Sequence, residues 1–308
     1  MAYRFRKSDV SVEQAVRRIA LEQIDGALAL IRDEPDRAEA VHGVRLCCKK
    51  LRGLLRLVRP VFDGYAAENA AFRDLARMLS GLRDAKVLQD TFDGLVDRYA
   101  DEVDSFVLAS AREGLSLLGN GEAEPTATAD PLEQCLSRLT AARERAADWR
   151  LDESGWRALG PGLAKTCAQA GKAAGHAREE GGTVAYHELR KRLKYHWYHT
   201  RLFRGLWPEL MEVRAATGRQ VSDLLGEHHD LCVFEARVGE YRDAFATTHE
   251  ADVILSLARR RKEELEGQAW PLIGRLLAQP PKALEEYWGA LWAIWQAGDR
   301  LSDPEAGD

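Results

Sequence analysis

The chain is poor in the features that commonly announce an enzyme or a secreted protein. Its 308 residues hold five cysteines, Cys47, Cys48, Cys135, Cys167 and Cys232, odd in number and without a CxxC pair. That argues against a disulfide framework or a thiolate zinc site, and fits small buried apolar side chains in a reducing cytosol. No run approaches the ~18 apolar residues of a membrane span. The opening MAYRFRKSD lacks an apolar centre, so no signal peptide and no membrane association are expected, and the location expected is cytoplasmic. A phosphate-binding loop is also missing. GPGLAKT (160–166) comes near, but Ala164 stands where the loop needs glycine, and no strand precedes it. No nucleophile–base pair stands out. The expectation is a binding protein without catalytic residues, metal or cofactor.

An overall positive charge is lacking as well. The formal net charge is −5, so any site for a polyanion must be a local cationic strip on an acidic body. What is present is a 45% hydrophobic fraction, enough for a core, and a length that suggests about two units of ordinary domain size.

Apolar residues recur every three or four positions almost throughout, which predicts helices at 12–31, 37–60, 66–98, 101–118, 131–148, 155–179, 184–204, 209–242, 249–267 and 281–299. Ser11 with Gln14 and Asp36 with Glu39 read as helix starts, and Asp130-Pro131 as a cap followed by a first helical residue. The segment GNGEAEPTATADP reads as a linker, giving a first bundle at 1–120, a linker at 121–130 and a second bundle at 131–308. Tyr287, Trp288, Leu291, Trp292 and Trp295 form an aromatic face on the last helix, expected to seal a core.

Two segments repeat each other. AVHGVRLCCKKLRGLLRLVRPVF (40–62) and AYHELRKRLKYHWYHTRLFRGLW (185–207), offset by 145 positions, match at Ala40/Ala185, His42/His187, Arg45/Arg190, Lys49/Lys194, Arg56/Arg201, Leu57/Leu202 and Arg59/Arg204. Further on, MLSGLRDAKVL (78–88) aligns with LLGEHHDLCVF (224–234), pairing Asp84 with Asp230. The gap from His42 to Asp84 is 42 residues and that from His187 to Asp230 is 43. A near-constant spacing between two matched blocks predicts a duplication: an all-α fold of two four-helix bundles plus an extra C-terminal helix.

The repeated helices carry basic stripes. His42, Arg45, Lys49, Arg52 and Arg56 step by three and four and so share one face, while Leu51, Leu54, Leu55 and Val58 take the other. The stripe spans about 21 Å at ~1.5 Å per residue, too long for one phosphate group and suited to a linear anion. His187, Arg190, Lys194, Tyr198 and Arg201 form the second, flanked by Lys191, Arg192, Tyr195 and His199. Residues 40–59 contain no Asp or Glu, and residues 185–204 contain Glu188 alone. Like charges at i,i+4 cost roughly 0.2–0.5 kcal/mol each, so the rows need either an anionic ligand or acids from neighbouring helices. Arg forks and Lys point charges suit phosphate oxygens, and Tyr195 and Tyr198 add hydroxyl donors. The histidines would add charge near or below ~6.5.

These residues resemble the CHAD domain (conserved histidine α-helical domain). The resemblance rests on the paired HxxR helices at His42/Arg45 and His187/Arg190 and on the LxxLRDxxVL-like segment at 79–88 with its partner at 225–234. It implies two four-helix bundles related by a pseudo-twofold, with the basic helices lining a shared groove or pore. It also implies specific binding of inorganic polyphosphate, and association with polyphosphate granules or polyphosphate-metabolising enzymes. The expected polyphosphate-binding residues are His42, Arg45, Lys49, Lys50, Arg52, Arg56, Arg83, Lys86, His187, Arg190, Lys191, Lys194, Tyr195, Tyr198, Arg201 and His229, oriented by Asp84 and Asp230. The chain departs from the family where Trp197 answers Arg52 and His229 answers Arg83, so the halves need not contribute equally. The ExExK strand motif of the triphosphate tunnel domain often fused to the family is absent.

Three other readings compete. His228-His229-Asp230, with His187, His196 or His199, could furnish ligands for an HD-type metal phosphohydrolase, but the first half has Arg83-Asp84 there and Arg cannot ligate a metal. Nucleic acid is disfavoured because the first stripe offers few aromatics for stacking and the body is acidic. A helical scaffold for an acidic protein tail stays open, as does the oligomeric state.

Overall fold

The computed structural model describes residues 3–79, 84–119, 130–242 and 247–298, which form eleven helices and, among these residues, no strand. None of the helices is long and apolar enough to cross a membrane.

The polar residues that open the helices do so by satisfying backbone N–H groups left over at the first turn. Ser11 Oγ accepts from Gln14 N–H at the start of α1 (Val12–Asp33), while Gln14 Oε1 accepts from Val10 N–H. Asp36 accepts from Ala38 and Glu39 at the start of α2 (Arg37–Val58). The helix predicted at 66–98 is instead two, α3 (Tyr65–Met78) and α4 (Asp84–Tyr99). The apolar residues explain the break. Phe72, Leu75 and Leu79 enter one hydrophobic cluster, whereas Leu88, Phe92 and Leu95 enter another, and one straight rod would not serve both. Leu79 leaves helical geometry at φ −96°, ψ 9°, and its carbonyl accepts from Arg45 Nη1 at 3.4 Å.

Next come α5 (Ser105–Gly119), α6 (Pro131–Ala147, capped by Asp130), α7 (Gly155–Glu180) and α8 (Gly182–Leu202). Then follow α9 (Pro208–Glu240), α10 (Thr248–Leu276) and α11 (Pro281–Ala297). The counterpart of the broken pair, α9, is continuous over 33 residues. α10 runs beyond the expected end at 267 to Leu276, through Pro271. A proline normally breaks a helix interior; here Ala269, Ile273 and Leu276 are buried together and hold the helix in place across it.

Neighbour relations repeat along the chain: α1 on α2, α2 on α3 and α4 on α5 in the first half; α7 on α8, α8 on α9 and α9 on α10 in the second. Contacts also run across the 121–130 segment. α6 lies on α1 and α3, and α4 and α5 lie on α9 and α10. One apolar cluster joins α1, α2, α3, α6 and α11 with the start of α7 and the end of α8; a second joins α4 and α5 to α9 and α10; a third fills the space between α7, α8, α9 and α10. The five cysteines are all buried. On α11, Leu284, Trp288, Leu291 and Trp292 are buried against α7 and Phe203, as the aromatic face predicts, while Tyr287 stays exposed.

Two glycines set how closely the basic helices approach their neighbours. A Cβ on Gly162 of α7 would stand 1.7 Å from Leu57 O on α2, and one on Gly53 of α2 would stand 3.0 Å from Tyr198 Cβ on α8. At Gly162 only hydrogen lets α7 lie this close to α2, and at Gly53 a methyl would crowd the Tyr198 side chain.

Candidate functional site

Both basic helices bury one face in the apolar core and leave most of the basic row half-buried or exposed. On α2, Leu51, Leu54, Leu55 and Val58 are fully buried, His42 is exposed, and Arg45, Lys49, Lys50 and Arg52 are half-buried. Arg56, at 8% exposure, is buried. On α8, His187, Arg190, Lys194 and Arg201 are half-buried, Lys191 is exposed, and Tyr195 and Tyr198 are buried. Arg83 lies outside the described residues, as do the side chains of Asp84 and Lys86.

The arginines at the α2–α8 contact are held mainly by neutral groups. Arg52 Nε and Arg56 Nη1 both donate to Asn69 Oδ1, at 3.3 and 2.6 Å, and Arg56 Nη1 also donates to Arg52 O at 3.1 Å. Arg59 donates to Gln169 Oε1 at 3.1 Å and Thr166 Oγ1 at 3.3 Å, and Arg192 donates to the same Gln169 oxygen at 3.0 Å. The Arg56 guanidinium sits 3.9 Å from the centre of the Tyr195 ring. Amide and ring partners orient a guanidinium without discharging it. Burial, followed by the Arg52 and Arg192 charges, lowers the Arg56 pKa despite the raising effect of Tyr195 and Tyr65. One carboxylate does intervene: Glu188 accepts from Lys191 Nζ and Arg192 Nε, so Lys191 is committed to an internal pair.

A second group forms where α8 meets α9. The rings of His187 and His229 lie 4.6 Å apart, with their Nδ1 atoms 3.4 Å from each other. Burial lowers the pKa of His187, helped by Lys191 and Arg190; burial, Arg190, His187, His228 and Lys49 push that of His229 down to about 4. Both rings are therefore neutral near pH 7 in the ligand-free protein, rather than ready-made cations. The effect of Lys49 on His229 places the first stripe within electrostatic reach of the second half. Arg190 and Lys194 line an open cleft of about 480 Å³ with Asp223 and Asp230. Burial lowers the pKa of both cations, and Asp230 opposes that shift at each. Asp230 is thus within electrostatic reach of both cations.

Arg201 belongs to a third region, a cleft of about 490 Å³ with Arg4, Arg204, Arg219 and Trp197. Its guanidinium lies 5.1 Å from the Trp197 ring centre and 5.8 Å from that of Tyr3. Burial, and less strongly the Arg201 charge, lowers the pKa of Lys50, while Cys47 opposes the shift. Tyr198 does not offer its hydroxyl to solvent. The side chain is fully buried, the hydroxyl has no hydrogen-bond partner, and burial raises its pKa. Its position on the helix follows the stripe, but Gly53 draws it into the α2–α8 seam.

Sequence reasoning missed Asn69, Thr166 and Gln169, the neutral residues that organise Arg52, Arg56, Arg59 and Arg192. A polar residue in a helix that is not itself charged leaves no periodic signal of such a role. It also missed Arg4 and Arg219, which chain folding alone brings beside Arg201.

Of the histidines proposed as metal ligands, His187 and His229 face each other, and the other three are engaged elsewhere. His196 Nε2 accepts from Arg214, His199 Nε2 donates to Gly53 O at 2.9 Å, and His228 Nε2 lies 2.9 Å from Glu266 Oε1. Among the described residues no group of three or more His, Cys, Asp or Glu side chains is placed to hold a metal ion.

A search of curated proteins returned no match. The sequence does match the family model of the CHAD domain, over residues 15–239, a span from the first helix through the end of the continuous helix α9. Repeated basic helices, their spacing to the paired aspartates and this match agree: the chain belongs to the CHAD domain family.

Proposed function

We propose that this protein binds inorganic polyphosphate, without chemically altering it, along the basic faces of α2 and α8. The observation that carries this reading is the set of close-lying guanidinium groups Arg52, Arg56 and Arg59, held by the neutral side chains of Asn69, Gln169 and Thr166. Burying like charges side by side is costly unless an anion compensates them. A chain of phosphoryl units supplies closely spaced negative oxygens matching such a row, and guanidinium forks can bridge neighbouring oxygens.

His42, Arg45, Lys49, Lys50, Arg52, Arg56, Arg83, Lys86, His187, Arg190, Lys191, Lys194, Tyr195, Arg201 and His229 make up the proposed surface, with Asp84 and Asp230 orienting it. Arrival of the polyanion would charge His187 and His229. The repeated helix contacts support descent of the two halves from one duplicated unit, paired about a pseudo-twofold. The proposed setting is the cytoplasm, at polyphosphate granules or beside enzymes that make or consume the polymer.

The test is calorimetric titration with polyphosphates of graded length, beside ATP and single- and double-stranded nucleic acid. Affinity should rise with polyphosphate length, exceed that for nucleic acid at equal phosphate, and fall steeply with salt as counterions are released. Affinity that is flat from low to moderate salt, or equal for every phosphate chain, would overturn the proposal.

A further inference from the structure

His228 was noted in the sequence only as a possible metal ligand, and Cys232 only as a buried apolar residue. In the structure they form one constellation. The two are four residues apart on α9 and share a face, with Cys232 Sγ 3.8 Å from His228 Nδ1. The other ring nitrogen, Nε2, lies 2.9 Å from Glu266 Oε1 on α10. Tyr186 of α8 covers the imidazole, with ring centres 4.4 Å apart and planes inclined by 31°. The order carboxylate, imidazole, thiol is the arrangement in which an acid orients a base that activates a nucleophile.

The other four cysteines lie in a different setting. Burial raises the pKa of Cys47, Cys135 and Cys167, and that of Cys48 to about 12. Burial acts on Cys232 in the same sense, but His228 and a hydrogen bond with Thr183 outweigh it and lower its pKa. Burial alone would depress His228, yet Cys232 and Glu266 raise it to about 9. Contact with His228 thus shifts Cys232 toward the thiolate, opposite to the other four cysteines.

We propose that Cys232 is a nucleophilic thiolate, activated by His228 and Glu266, that hydrogen peroxide oxidises to a sulfenic acid. At 5% exposure Cys232 admits only a small reagent, and the exposed Thr183 and the one-third exposed Glu266 side chain form the nearby rim. In the reaction the thiolate sulfur attacks one peroxide oxygen. An S–O bond forms, the O–O bond breaks, sulfur loses two electrons, and the departing hydroxide takes the Nδ1 proton of His228 to leave water. The products are Cys232 sulfenic acid, neutral His228 and water. This site stands independently of the polyphosphate reading.

The experiment exposes the native, reduced full chain to hydrogen peroxide, quenches with catalase, and unfolds it in urea containing dimedone, which traps sulfenic acids. Residue-resolved mass spectrometry then reads each cysteine. Cys232 should be trapped at least about tenfold faster than Cys47, Cys48, Cys135 and Cys167, at a rate that rises less between pH 6 and 8 than theirs. Glu266→Gln should slow Cys232 by about tenfold at pH 7 and make its rate climb with pH as for an ordinary thiol. Equal rates at all five cysteines in the unaltered protein would overturn the proposal without recourse to any variant. So would an unchanged pH profile in Glu266→Gln.

Discussion

At the scale of single residues, the arginines of the basic helices divide by what holds them. Arg56 is buried under the Tyr195 ring and bound to Asn69, so its removal uncovers the ring and leaves Asn69 Oδ1 only the longer bond from Arg52. Arg56→Ala should destabilise the protein by about 1–3 kcal/mol in urea unfolding. Arg190 is different: half-buried at the cleft edge, its pKa is lowered by burial and supported chiefly by Asp230. Arg45→Ala combined with Arg190→Ala should weaken polyphosphate binding by about a hundredfold or more, at ~1.5–3 kcal/mol per charged hydrogen bond lost. Its circular dichroism should match that of the unaltered chain. Loss of helicity in the double variant would make these side chains structural and remove their proposed role.

At the scale of elements, one helix offers a paired test. α7 approaches α2 most closely at Gly162, where an added Cβ would meet Leu57 O at 1.7 Å, whereas nothing lies within 4 Å of a Cβ on Gly171. Gly162→Ala must therefore push two backbones apart and should cost about 3 kcal/mol or more. Gly171→Ala, on the exposed side of the same helix, should stabilise by about 0.5–1 kcal/mol through helix propensity. Thermal melts of the two variants should move in opposite directions. A tolerated Gly162→Ala would mean that α2 and α7 are farther apart than described, and the Gln169 bridge between Arg59 and Arg192 would fall with it.

At the scale of the whole molecule, buried imidazoles set how stability depends on pH. His196 and His199 are fully buried, and burial pushes both pKa values down to about 3, further lowered by Arg214 at His196 and by Arg59 and Arg56 at His199. Their unfolded value is near ~6.5. Below that pH the unfolded chain binds protons that the native state refuses, so stability falls as pH drops from about 6.5 toward 3. Each should cost roughly 2 kcal/mol by pH 5. His228 has the opposite sign. Raised to about 9, it contributes stability that is complete below about 6.5 and lost as pH climbs to 9. Urea midpoints of the ligand-free protein should therefore peak near neutrality and decline clearly by pH 5. A midpoint unchanged from pH 7 to 5 would contradict the burial of His196 and His199.

Helical periodicity, the caps at Ser11, Asp36 and Asp130, and the twin basic rows could all be read from the residues, because each depends on neighbours within about a turn. The family was legible for the same reason: it rests on spacing along the chain. The break between α3 and α4 was not, because Phe72 and Phe92 have the same character in sequence and differ only in which core receives them. Nor could the sequence tell that Tyr198 turns inward or that Asn69 and Gln169 bind the arginines. Above all, it could not show that His228 leaves its neighbours His229 and Asp230 for Cys232 and Glu266. Local order follows from propensity and period, which a sequence carries. The partner of a polar group is chosen by which helices cross and how closely, and that is fixed only when distant segments exclude water together.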